Sequence, residues 1–132
     1  MAYMNKSKSN NWGTPERILN LLPKDYHDVC PFNHTNNSLI EDWGKYKKTI
    51  FCNPPYSDLK TWIKKCYTES LKKIKIILLI PARTDTIAFH KYIYNKSKIK
   101  FIKGRLKYID LDNSSKKPTS APFPSMLIYY NF

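Results

Sequence analysis

Asn53, Pro54, Pro55 and Tyr56 follow directly on an apolar run, Ile50-Phe51-Cys52. Each proline lacks the N–H that a sheet ladder needs and fixes its own φ, so a strand entering this tetrapeptide ends there. What stands at the stump is a side-chain amide, a stiffly held carbonyl and a phenol ring. Those groups suit the handling of a planar amine whose lone pair is delocalised into a ring. Asn53 Oδ1 and the Pro54 carbonyl can accept hydrogen bonds from the two N–H groups of such an amine. That draws the nitrogen toward sp³ geometry and raises its electron density. The prolines hold these acceptors in place before the reaction begins. Tyr56 offers a flat face on which an extruded base can stack. The chemistry expected is methyl transfer to an amine whose lone pair is conjugated, such as the N6 amino group of adenine. No strong base is needed, because the amine becomes acidic once the new bond forms.

In open α/β sheets, ligands bind beyond the carboxyl ends of the strands. Strand candidates at 26–32, 48–52 and 74–80 would bring Asp28, Asn53 and the pair Arg83 and Asp85 to one rim. The run Ile74-Lys75-Ile76-Ile77-Leu78-Leu79-Ile80 is the most apolar in the chain and reads as a central strand buried on both faces. Between the last two strands, Leu59, Trp62, Ile63, Cys66, Tyr67 and Leu71 recur with a 3.6-residue period, a long helix capped by Ser57 or Asp58. Thr14 can cap a first helix with Pro15 at its first position and Ile18, Leu19 and Leu22 inward, ending at Pro23. A turn of helix is expected at Leu39–Trp43. Thr84 or Asp85 can cap a helix over 86–95 with Ile87, Phe89 and Ile93 inward. Residues 99–109 alternate apolar and basic types around Gly104, as a half-exposed strand or hairpin would. A loop over 113–125 leads to a closing strand at 126–130. Strands alternating with helices predict an α/β fold with a mostly parallel sheet.

The chain has 132 residues with 42% hydrophobic and 14% aromatic, enough for one domain with a core. Residues 12–132 read as that domain. Residues 1–11 are polar, contain Lys and lead into no apolar segment, so they read as a flexible arm and not a secretory signal. No run is long enough to span a membrane. Cys30, Cys52 and Cys66 form no C-x-x-C pair, and no metal site is expected. An odd cysteine count fits a reducing cytoplasm and three buried small hydrophobes. The net charge of +13 suits a polyanionic partner, nucleic acid foremost. Codon bias competes as its source, since 20 of the 23 cations are Lys and the chain is rich in Asn, Ile and Tyr.

Six stretches carry a family resemblance: W-G-T-P at 12–15, D-V-C at 28–30, L-I-E-D-W at 39–43, N-P-P-Y-S at 53–57, L-L-I-P-A-R-T-D-T at 78–86 and F-I-K-G-R-L-K-Y at 101–108. In this order they resemble the phage-type DNA N-6-adenine methyltransferases, over about residues 12–130. The resemblance implies a compact Rossmann-like fold shortened in its first half, S-adenosylmethionine (SAM) as methyl donor, and DNA as partner in a bacterial or phage-infected cytoplasm. It implies that Asn53, Pro54, Pro55 and Tyr56 are catalytic. Trp12, Thr14 and Pro15 would line the methionine end of SAM, Asp28 would face its amino group, and Asn53 would border it. Asp42 is the nearest counterpart of an acidic residue on the SAM ribose. Arg83, Asp85, Lys103 and Arg105 would join Tyr56 in holding the substrate. The three glycines, Gly13, Gly44 and Gly104, form no G-x-G cofactor turn. Modest SAM affinity, or help from a second copy or a partner subunit, is therefore expected. Two further readings are adenine-N6 transfer in RNA and a degenerate homologue or subunit that binds nucleic acid without catalysis.

Overall fold

The computed structural model describes residues 12–31, 37–110 and 119–132. The arm expected at 1–11 and much of the expected loop at 113–125 lie outside them. Among the described residues, eight strands and three helices follow in the order β1 (Trp12–Gly13), α1 (Glu16–Leu19), β2 (Tyr26–Asp28), β3 (Thr49–Cys52), α2 (Leu59–Ser70), β4 (Ile76–Pro81), α3 (Ile87–Tyr92), β5 (Lys98–Phe101), β6 (Lys107–Asp110), β7 (Thr119–Ser120) and β8 (Ser125–Tyr130). Short 3₁₀ turns occupy Asn37–Ile40, Trp43–Tyr46 and Tyr56–Asp58.

The main sheet has the order β2-β3-β4-β8-β5. The pairs β2–β3 and β3–β4 are parallel, whereas β4–β8 and β8–β5 are antiparallel. The expectation of a mostly parallel sheet is therefore corrected to a mixed one. Its physical reason is that β8 is apolar on both faces, and such a run has the same composition whichever way it points. Because β4 and β5 both oppose β8, they point the same way. The carboxyl ends of β2, β3, β4 and β5 thus share one rim, marked by Asp28, Cys52, Pro81 and Phe101.

Every residue of β4 is buried, as a central strand requires. Ile76, Leu78 and Ile80 face one layer, with Trp62, Ile63 and Cys66 of α2 and Phe89 and Ile93 near α3. Ile77 and Leu79 face the other, with Ile18 of α1, Leu106, Tyr108 and Phe123. Each fully buried aliphatic side chain here contributes roughly 1.5–3 kcal/mol. All three cysteines are buried and none is disulfide-bonded.

The second layer is closed by a small antiparallel sheet, β1-β6-β7. The alternating stretch at 99–109 is therefore not one strand or hairpin: β5 joins the main sheet and β6 the small one. Gly104 makes that break at φ +75°, a left-handed conformation that suits a residue without Cβ. Pro15, not Thr14, occupies the N-cap position of α1, without a side-chain cap bond. Nor does Ser57 or Asp58 cap α2 through its side chain, since the 3₁₀ turn at Tyr56–Asp58 feeds directly into it. Thr86, not Thr84 or Asp85, caps α3, its Oγ1 accepting from the Phe89 N–H at 3.1 Å. Ile87 and Leu71 point outward, 81% and 65% exposed. Leu71 lies past the last turn of α2, where helical spacing no longer fixes direction.

Candidate active site at the strand rim

β3 delivers Asn53, half-buried, to the middle of the rim, followed by buried Pro54 and half-buried Pro55. The Asn53 Nδ2 amide group donates to Thr14 Oγ1 at 3.0 Å. Thr14 is brought there by β1, whose Gly13 pairs with Ile109 of β6. With Nδ2 turned toward Thr14 in this way, Oδ1 is at the other end of the amide and can only accept. Asp28 ends the neighbouring strand, in register with Phe51. Its Oδ1 accepts from the Cys30 N–H at 2.9 Å, closing the turn after β2. That turn carries Val29 and Cys30 into the core.

The Tyr56 ring sets an edge-to-face contact with Phe123, centroids 5.2 Å apart and planes at 90°. Burial, and then the neighbouring Tyr108, drive its phenol far above the ordinary value, with Arg83 opposing them only in part. Tyr56 is accordingly a neutral ring at physiological pH, suited to stacking. Arg83 is half-buried one residue beyond Ala82 and near Tyr56. Asp85 is exposed in the turn before α3.

Beside Tyr56, a cavity of about 350 Å³ opens between α2 and α3. Its floor includes Ile63, Ile80, Phe89, Ile93 and Met126, and its charged lining residues are Lys60 and Arg83. Lys103 and Arg105 are exposed on the segment between β5 and β6. Arg17 Nη2 donates to the Lys103 carbonyl at 3.0 Å, and Arg105 Nη1 reaches the Ala121 carbonyl at 3.4 Å. Both arginines therefore staple main chain as well as adding positive charge.

The rim thus gathers Thr14, Pro15, Asp28, Asn53, Pro54, Pro55, Tyr56 and Arg83, with Asp85, Lys103 and Arg105 at its border. Trp12 places its backbone in β1; its side chain lies outside the description. Asp42 is not brought there. It caps the turn Trp43–Tyr46 through Gly44 N–H at 2.9 Å and meets Lys72 at 3.3 Å, at the far end of α2. Asp42 thus lies at the end of α2 opposite to Tyr56. Sequence reading passed over Tyr108, Phe123 and Lys60. The alternation of Leu106 and Tyr108 in a strand could have placed Tyr108 inward; nothing local pairs Phe123 with Tyr56.

Among the described residues, a mixed α/β sheet presents an amide, two prolines and an aromatic ring beyond the end of β3. The sequence matches the family described as DNA N-6-adenine-methyltransferase (Dam) over residues 2–131. The chain belongs to that family. The DNA N-6-adenine-methyltransferase of Escherichia phage T1 is 28% identical over 109 residues, an overlap covering 72% of this chain and 45% of that protein. The chain therefore spans less than half the length of that relative. No solved structure matches it. No described helix is long and apolar enough to cross a membrane.

Proposed function

We propose that residues 12–132 form a SAM-dependent methyltransferase domain that methylates N6 of adenine in DNA, on an abbreviated Rossmann-like fold. The observation that carries this reading is the Asn53–Thr14 hydrogen bond at the end of β3. With Nδ2 turned to Thr14, Oδ1 is the end of the amide that accepts from one N–H of an exocyclic amine. The Pro54 carbonyl takes the second N–H, and Tyr56 supports the plane of the base.

The donor set at the rim fits SAM: Asp28 offers a carboxylate for a cationic amino group, beside Thr14, Pro15 and Asn53. When bound, SAM would supply an electrophilic methyl on a sulfonium, its thioether being the leaving group. The nitrogen held by Asn53 Oδ1 and the Pro54 carbonyl would receive that methyl and release its proton to water, so no protein base is required. Asn53 and Pro54 act on the attacking nitrogen alone, which makes their contacts strongest as it rehybridises. Arg83, Lys103 and Arg105 supply charge for the DNA backbone, and Asp85 borders the acceptor strand. With Asp42 at the far pole and no glycine pair, cofactor affinity is modest. The reading places the protein in the cytoplasm of a bacterial or phage-infected cell.

The test is transfer of a labelled methyl from SAM to unmethylated duplex DNA, single-stranded DNA and RNA in parallel. Label recovered as N6-methyladenine in DNA is the expected result. Label in RNA alone reassigns the acceptor, and none in any polymer leaves the chain a nucleic-acid-binding homologue.

A further inference from the structure

We infer that the cavity between α2 and α3 is a subsite for the nucleotide next to the methylated adenine, its base in the apolar pocket and its phosphate on Lys60 and Arg83. The inference rests on DNA as the acceptor and adds where the neighbouring nucleotide goes. The cavity shares one wall, Tyr56, with the proposed active site, yet neither Asn53 nor Pro54 lines it. The two acceptors proposed for the target amine, Asn53 Oδ1 and the Pro54 carbonyl, thus stand outside its lining. Thr14 and Asp28 do not line it either, which separates it from the region assigned to SAM.

Its chemistry selects the ligand. A floor of Ile63, Ile80, Phe89, Ile93 and Met126 takes a flat heterocycle, and at about 350 Å³ it lies near the lower end of ligand pockets, room for one base. Two cations and no carboxylate line it, so an anionic group belongs at its mouth. A base carrying a phosphate meets both demands; a purely apolar peptide meets only the first. Two exposed apolar side chains stand nearby, Ile87 in the lining and Phe101, 61% exposed, at the end of β5. Phe101 is directly opposite Met126 in the ladder, so both side chains point to the same face of the sheet. A nucleotide strand crossing this rim covers them by stacking, a contact that tolerates any base.

The experiment uses protein labelled at its Ile and Met methyl groups, titrated with each of the four 5′-deoxynucleoside monophosphates and with deoxyadenosine. Shifts at Ile63, Ile87, Ile93 and Met126 are expected for the nucleotides. The nucleoside should bind about tenfold more weakly for want of the phosphate. Ala88→Phe fills the cavity and should abolish these shifts. If that variant loses its folded spectrum, Lys60→Gln serves instead, with the preference for nucleotide over nucleoside reduced severalfold. No shift at these methyls with any nucleotide at 20 mM concentration (roughly 2 kcal/mol of binding at most) overturns the subsite. So does an unchanged titration in Ala88→Phe, or a phosphate preference unaffected by Lys60→Gln. Methyl transfer to DNA is assayed on the same preparation. Shifts without transfer would sink the enzymatic reading alone, and transfer without shifts would sink the subsite alone.

Discussion

Asn53, at the end of β3, donates its amide to the Thr14 hydroxyl, 39 residues away in the chain. From this follows a test of Thr14 as a positioning residue. Thr14→Val keeps the shape and removes the acceptor, so the amide can flip. We expect kcat to fall on the order of tenfold to a hundredfold, with a much smaller rise in KM for SAM, whose proposed site Thr14 borders. Thr14→Ser should restore most of it. A rise in KM for SAM with kcat intact would instead make Thr14 a cofactor contact, as the resemblance implies. The tetrapeptide at 53–56 was legible in the sequence because two prolines after an apolar run admit few structures. Thr14 looked like a helix cap because capping is a local pattern, whereas its hydroxyl partner lies 39 residues away. Asp42 shows the reverse: its acid character was plain, but only tertiary packing sends it to the pole opposite Asn53.

At the scale of elements, the far end of α2 is pinned by Glu69, 2% exposed. It accepts from the Trp43 N–H at 2.6 Å and from Lys72 Nζ at 3.0 Å, with Lys65 Nζ at 3.3 Å. Burial alone would raise its carboxyl above the ordinary value; the Trp43 N–H, Lys72 and Lys65 outweigh burial and hold it below. A carboxylate depressed in the folded state stabilises above its unfolded pKa and loses that contribution as pH falls through the folded value. Glu69→Ala should therefore cost about 2 kcal/mol near neutral pH, by urea denaturation. The gap from the parent should shrink below about pH 4, the ordinary carboxylate range. A gap independent of pH would mean that packing, not charge, is lost. The periodic and apolar stretches that became α2 and β4 were readable, since burial on a known face writes itself into composition. Strand direction was not, and neither was the outward turn of Ile87, whose helix begins one cap later than its sequence allowed.

Over the whole molecule, the excess of 23 cations over 10 acids is either a phosphate-binding surface or a composition bias. Rim cations Lys60, Arg83, Lys103 and Arg105 favour the first. DNA affinity should then fall steeply with salt, the logarithmic slope growing by about 0.9 for each duplex phosphate neutralised. Exchanging Lys103 for Gln should lower the slope by about one unit. A flat response across salt would assign the charge to codon usage. That the chain is α/β with its polar residues at strand ends could be read from the order of its segments. The small sheet β1-β6-β7, which carries Thr14 to Asn53 and Tyr108 to Tyr56, could not, because its strands are short and meet from opposite ends of the chain.

The most direct measurement is Asn53→Ala in single-turnover methyl transfer, with SAM and DNA affinities measured on the same protein. The account predicts a loss of two to three orders of magnitude in the transfer step (about 10²–10³, as for removal of one preorganised charge-stabilising contact) with both affinities nearly unchanged. An equal loss in SAM binding, or transfer that survives, would contradict it.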